Sequence, residues 1–159
     1  MRWEQVNLAL EVKAAKQRLT QALTREGLDL GSLTVRIKDL RRVRGLPQGA
    51  IGLYRANSLF MSGPILWVSD SLVPLSKDCG CSPSDVQENI LNILCREFGH
   101  AICDLLATKH AADYDDLVDR FGDEEVFCER FGLWLAGRDT DRDAERTAAR
   151  VREILEGYS

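Results

Sequence analysis

The chain reads as an α+β domain, and three features carry that reading. An apolar rhythm with steps of three and four opens the sequence, three short segments of alternating or glycine-flanked apolar residues follow between residues 33 and 69, and only helical periodicity returns after that. The expected order is an N-terminal helix, a small sheet of three or four strands, a long helix and a C-terminal helical block. With 159 residues, 45% of them apolar and 29% charged, the chain has enough material for one core without staples, so 1–159 is read as a single domain.

Residues 2–26 are expected to be helical. Leu8, Val12, Ala15, Leu19 and Leu23 share one face, and Gly27 supplies a stop. In LTVRIKDL (33–40), Leu33, Val35 and Ile37 alternate with polar residues, as in a half-buried strand. GAIGLYRA (49–56) is glycine-flanked and is expected to pair with it. PILWVS (64–69) opens with proline, which suits a strand's first residue or an edge, and ANSLFMSG (56–63) is a candidate fourth strand. SDSLVPLSKDCGCSPS (69–84) reads as a loop with one helical turn. Ser82 as cap, Pro83 in first position and Asp85 near the positive end of the dipole then open a helix over 83–109. Its broad apolar face is Ile90, Ile93, Leu94, Ala101, Ile102 and Leu105. Residues 111–122 are expected to form a short amphipathic helix or turn, and 123–137 a more apolar helix closed by Gly137. Residues 140–159 form a surface helix capped by Thr140, with Ala144, Ala148, Val151 and Leu155 along one side.

The cysteines at 79, 81, 95, 103 and 128 are odd in number, and three fall in apolar helical patterns. They read as reduced thiols rather than a disulfide framework, and the Cys79–Gly80–Cys81 gap is too short for a C-x-x-C site. No apolar run is long enough to span a membrane, and the N-terminus lacks a signal-peptide pattern, so a cytoplasmic location is expected. The net charge is −4, but residues 1–55 hold 11 Lys/Arg against 5 Asp/Glu and residues 56–159 hold 10 against 20. The densest basic stretch is RIKDLRRVRG (36–45), with no aromatic interleaved. A nucleic-acid partner is therefore not expected, and the cations read as a solvated strand edge.

CREFGHAIC (95–103) carries the chemistry. One letter separates it from H-E-x-x-H, because Arg96 stands where the first histidine would be. Two histidines at i and i+4 share a helix face and both reach one zinc ion at roughly 2.0–2.1 Å, while the glutamate between them acts as general base to the metal-bound water. His100 can serve as second ligand and Glu97 as base. Arg96 cannot serve, since a guanidinium has no lone pair and stays protonated. The other histidine, His110, lies about 15 Å away along a straight helix. Cys95 points to another side of the helix; Cys103 is at i+3 from His100, on a usable side, but both thiols read as buried small apolar residues. Downstream, EEVFCERFGLWL sets Glu125 and Glu129 at i and i+4, with Cys128 and Gly132 on the same strip of an otherwise apolar helix.

Together these segments resemble a small zincin metallopeptidase of the gluzincin type over about residues 33–137. The resemblance implies a zincin-like fold with a short sheet ending in the edge strand PILWVS, an active-site helix holding REFGHAI, and a later helix supplying a glutamate ligand. It implies Glu97 as a vestigial general base, His100 and Glu125 as metal ligands if metal is retained, and Glu129 as the supporting acid, with Glu124 a competing register. It also implies a substrate or partner added as an extended strand along Ile65, Trp67 and Ser69.

Two functional readings follow. In the first the chain is a pseudo-peptidase without cofactor that binds a peptide or protein, and Arg96 replaces the metal charge by neutralising Glu125 or Glu129. In the second it is an active zinc-dependent metallopeptidase with an atypical site. A third reading treats the E-F-G-H string as coincidence on an ordinary helix.

Overall fold

The computed structural model describes residues 1–47, 49–55 and 63–157. Among these, six α-helices and one three-stranded mixed sheet make an α+β architecture. The candidate fourth strand at 56–63 falls almost wholly outside the described residues.

Helix α1 spans Leu8–Glu26 and starts later than expected, because residues Trp3–Gln5 form a separate 3-10 turn. The Asn7 side chain accepts from the Leu10 amide at 3.3 Å, and that cap defines the start. Gly27 ends the helix with a φ of +67°, a left-handed conformation that suits glycine. Val12, Ala15, Leu19, Ala22 and Leu23 face the core.

Strands β1 (Thr34–Lys38), β2 (Gly52–Arg55) and β3 (Ile65–Ser69) assemble in the order β1-β3-β2. β1 runs parallel to β3 from Thr34↔Ile65 to Lys38↔Ser69, and β2 runs antiparallel to it from Gly52↔Val68 to Arg55↔Ile65. This corrects the expected β1–β2 pairing and the expected edge position of β3. The physical reason is burial. ILWVS is the most apolar strand, with Leu66, Val68 and Ser69 all buried. β1 and β2 instead expose Arg36, Lys38 and Arg55, cations that suit outer positions. Pro64 sits just before β3, where its missing N–H takes nothing from the ladder, and its carbonyl accepts from Thr34 at 3.0 Å.

The loop after β3 contains helix α2 (Leu72–Asp78), a full short helix rather than a single turn. A 3-10 turn at Pro83–Asp85 leads into α3 (Val86–Lys109), the central helix of the molecule. Ser82 is extended there, but its side chain makes no capping bond. Ile90, Leu94, Phe98, Ile102 and Leu106 of α3 lie in one contiguous core with α1, the inner sheet face and the later helices. Helices α4 (Ala111–Phe121), α5 (Glu124–Leu135) and α6 (Arg142–Leu155) complete the block. Asp141, not Thr140, caps α6: its carboxylate accepts from the Ala144 amide at 3.0 Å and holds the Arg130 guanidinium at 2.8 and 2.9 Å.

Three glycines bring the site elements together. A Cβ on Gly99 of α3 would lie 3.0 Å from the Cys128 Cα on α5, and one on Gly132 of α5 would lie 2.9 Å from the Arg96 backbone. A Cβ on Gly52 of β2 would sit 2.4 Å from Ile93 Cγ2 and 3.2 Å from Glu97 Cγ. The backbones of α3 and α5 therefore meet closely at Arg96 and Cys128, and the β2 backbone at Gly52 lies against the Ile93 and Glu97 side chains.

Candidate functional site

Between β2 and the α3–α5 pair lies a cleft of about 610 Å³, walled by Pro47, Gly52 and Tyr54 on one side and by Arg96, Glu97, His100, Cys103, Glu124 and Glu125 on the other. Helical spacing sets Glu97, His100 and Cys103 at successive turns of α3. The Asp123 cap, whose carboxylate accepts from the Val126 amide at 2.8 Å, places Glu124 and Glu125 in the first turn of α5.

The two glutamates do not compete for one register. Glu124 Oε2 lies 3.3 Å from His100 Nδ1, and Glu125 Oε1 lies 3.3 Å from His100 Nε2. Each ring nitrogen therefore faces a carboxylate, an arrangement that favours the doubly protonated imidazolium. The His100 ring titrates well above its ordinary range, near 9. The hydrogen bond to the Cys128 sulfur is the leading cause, with the charges of Cys128, Glu97 and Glu125 adding to it and burial opposing it. Cys128 is itself drawn down by hydrogen bonds from Cys103 and His100, while the Cys103 thiol is pushed up by its bond to Cys128 and by burial. Cys103 and Cys128 are both fully buried in the core beside the histidine, as expected of small apolar residues.

Glu97 is 6% exposed, and its carboxyl is raised above the usual range chiefly by desolvation, against the charges of His100 and Arg96. Arg96 Nη2 lies 3.5 Å from Glu97 Oε1. This corrects the expected pairing of Arg96 with Glu125 or Glu129. The Arg96 backbone is pressed against Gly132, and its guanidinium meets the buried carboxylate of its own helix; the side chain remains 42% exposed. Glu125 is 75% exposed and is met by His100 instead. Glu129 does not support His100. It lines a neighbouring groove of about 380 Å³ with Asn92, Ile93 and Leu133, on the far side of Arg96.

The expected partner cleft along Ile65, Trp67 and Ser69 is also corrected. Both edges of β3 are taken by β1 and β2, so no extended chain can pair along it. Ser69 is buried, its N–H bonded to the Ile51 carbonyl at 2.9 Å and its Oγ accepting from the Ser71 amide at 3.1 Å. Among the described residues, the unpaired edge beside His100 belongs to β2. Tyr54 of that strand donates from its hydroxyl to Asp104 Oδ2 on α3 at 2.9 Å, tying strand to helix; burial and this bond push its pKa up.

His100, Glu124 and Glu125 each offer a donor atom, all within 4.8 Å of one another, a spacing able to close on one divalent cation. The zincin ligand set does not fit these residues. Its first histidine position holds Arg96, whose fixed cation contacts the residue that would serve as base. Helical spacing singled out Glu97 and His100, and the family resemblance added Glu125. The second carboxylate at Glu124 and the thiols of Cys103 and Cys128 had a legible signal in their i+3 and i+4 offsets. Their convergence needs the close glycine-mediated crossing of α3 and α5. No helix among the described residues is long and apolar enough to cross a membrane. Compared with protein-family models, with curated proteins and with solved structures, the chain has no match.

Proposed function

We propose that the protein is a zincin-like pseudo-peptidase whose cleft binds an extended peptide or protein segment along the free edge of β2 without cutting it. The observation that carries this reading is the ion pair of Arg96 with the buried Glu97, inside a cleft bordered by a strand whose outer edge is unpaired among the described residues. A general base needs a water polarised by metal, and here the position of one essential ligand is occupied by a guanidinium that engages the base itself.

The strand edge supplies the binding chemistry. Ser69 donates to Ile51, so Ile51, Leu53 and Arg55 direct their backbone groups toward β3. The alternation leaves the N–H and C=O of Gly52 and Tyr54 pointing to the open edge, available to a partner strand. His100 and Arg96 on the cleft wall suit a partner carboxylate, and Glu124 and Glu125 suit a basic side chain.

Restoring Arg96→His tests this directly. The native chain is expected to release no fragments from an unstructured protein such as casein, with or without added zinc. The Arg96→His chain is expected to gain zinc affinity, read by calorimetry. Chelator-sensitive cleavage by the native chain would overturn the proposal and favour an active metallopeptidase.

A second reading rests on the His100–Glu124–Glu125 cluster, which would hold a divalent cation such as zinc as a structural or regulatory ion. Stoichiometric zinc in native protein, lost in the Glu125→Gln variant without loss of folding, would support it. Zinc binding that persists unchanged in that variant would remove it.

A further inference from the structure

The sheet has a second face, turned away from α3. Gly52, Tyr54, Leu66 and Val68 point toward α3 and the core, so Leu53, Arg55 and Trp67 point to the other side. The register places Arg36 and Leu53 on either side of Trp67, with Lys38 and Arg55 at diagonal corners. Lys38 Nζ lies 5.3 Å and Arg55 Cζ 5.0 Å from the centroid of the Trp67 ring. Arg36, Lys38 and Arg55 are exposed, and among the described residues no carboxylate ion-pairs with them. Asp39, next to Lys38 in the chain, is occupied by Arg41 and Arg42, and Asp70, whose amide bonds to the Lys38 carbonyl, makes no ion pair among the described residues. The Trp67 side chain is half-buried, and its indole N–H is buried and makes no hydrogen bond. The basic stretch, which has no aromatic among its own residues, thus acquires one through the sheet.

We propose that this face binds single-stranded nucleic acid, with a base stacked on Trp67 and phosphates held by Arg36, Lys38 and Arg55. The cations resting over the ring are weakly held at an exposed position and can swing onto phosphates, which frees the ring for a base. An aromatic between cations is the arrangement that rewards a π-face and a phosphate together. An acidic peptide would use the cations and gain nothing from the ring. Duplex DNA keeps its bases paired and stacked, so it offers no free base face to Trp67. Phosphate and base are common to DNA and RNA, so the two should bind alike.

The test is fluorescence anisotropy of the full chain with labelled oligo-dT and oligo-rU of about 15 nucleotides, at about 50 mM salt and above. Both are expected to bind, with affinity falling steeply as salt rises. The double variant Arg36→Glu/Arg55→Glu, at exposed positions, is expected to weaken binding on the order of tenfold or more and to lower the salt slope by about 1.4. Trp67→Ala is expected to weaken it about 5- to 100-fold and Trp67→Phe much less, with thermal melts checking that each variant is folded. Glu125→Gln, in the opposite cleft, is expected to leave oligonucleotide binding unchanged. Absence of oligonucleotide binding at low salt would overturn the proposal. So would equal binding of poly-glutamate with no effect of either Trp67 variant, which would mark a general anion surface.

Discussion

Glu97 sits in the cleft wall beside two cations, Arg96 and His100, and its carboxyl still titrates above its ordinary value because burial outweighs both. A carboxyl raised in the folded state binds protons there that the unfolded chain has released. Its contribution to stability is therefore complete below its ordinary value of 4.5 and is lost as pH rises through the raised folded value. Urea denaturation of metal-free protein across that window should show native stability falling as pH rises, and the Glu97→Gln variant should flatten the profile. Arg96→Ala should cost about 1–3 kcal/mol at neutral pH and move the midpoint of the profile upward. An unchanged midpoint would mean that Arg96 does not engage Glu97. That Arg96 cannot ligate a metal was legible from its chemistry alone. Its partner was not, because the choice between Glu97 and the acids of α5 depends on where Gly132 holds the backbone.

The crossing of α3 and α5 is what turns two helices into a site. Gly99 and Gly132 each abut backbone atoms of the facing helix, and backbone cannot retreat as a flexible side chain does. Gly132→Ala would gain about 1 kcal/mol of helix propensity but force a methyl group to within 2.9 Å of the Arg96 backbone. Overpacking of that kind costs about 1–3 kcal/mol, so a net loss on the order of 1 kcal/mol is expected in chemical denaturation, together with shifted His100 ring resonances. A stabilised variant with an unmoved His100 would show that the crossing is looser. The helices themselves were largely legible, since their apolar faces repeat at helical spacing. Their ends were less so. Thr140 and Asp141 are both good caps by residue type, and the added bond to Arg130 distinguishes Asp141. α1 begins at Leu8 because Asn7 supplies a cap that the apolar rhythm does not mark.

The molecule as a whole presents two unlike surfaces on either side of its sheet. The cleft face gathers Glu97, Glu124 and Glu125 around His100, while the opposite face displays Arg36, Lys38 and Arg55 around Trp67. The strand order makes both. With β3 central, its tryptophan lands between the basic residues of β1 and β2, and among the described residues β2 has an open edge over the cleft. Amide exchange should report that edge: Gly52 and Tyr54 N–H groups should exchange faster than those of Leu53 and Arg55, and a cleft-binding peptide should slow them selectively. Uniform protection along β2 before any partner is added would mean that its edge is already paired.

Residue chemistry and periodicity, which are local, were enough to indicate the α+β order, the longer helices, and the near-match to H-E-x-x-H with its nearby acids and histidine. Strand order, the partner of Arg96, the joint use of Glu124 and Glu125, and the meeting of Trp67 with the basic stretch all depend on contacts between distant segments. Those are settled by which strand buries the most apolar surface and how closely glycines let helices approach, quantities that no local window contains.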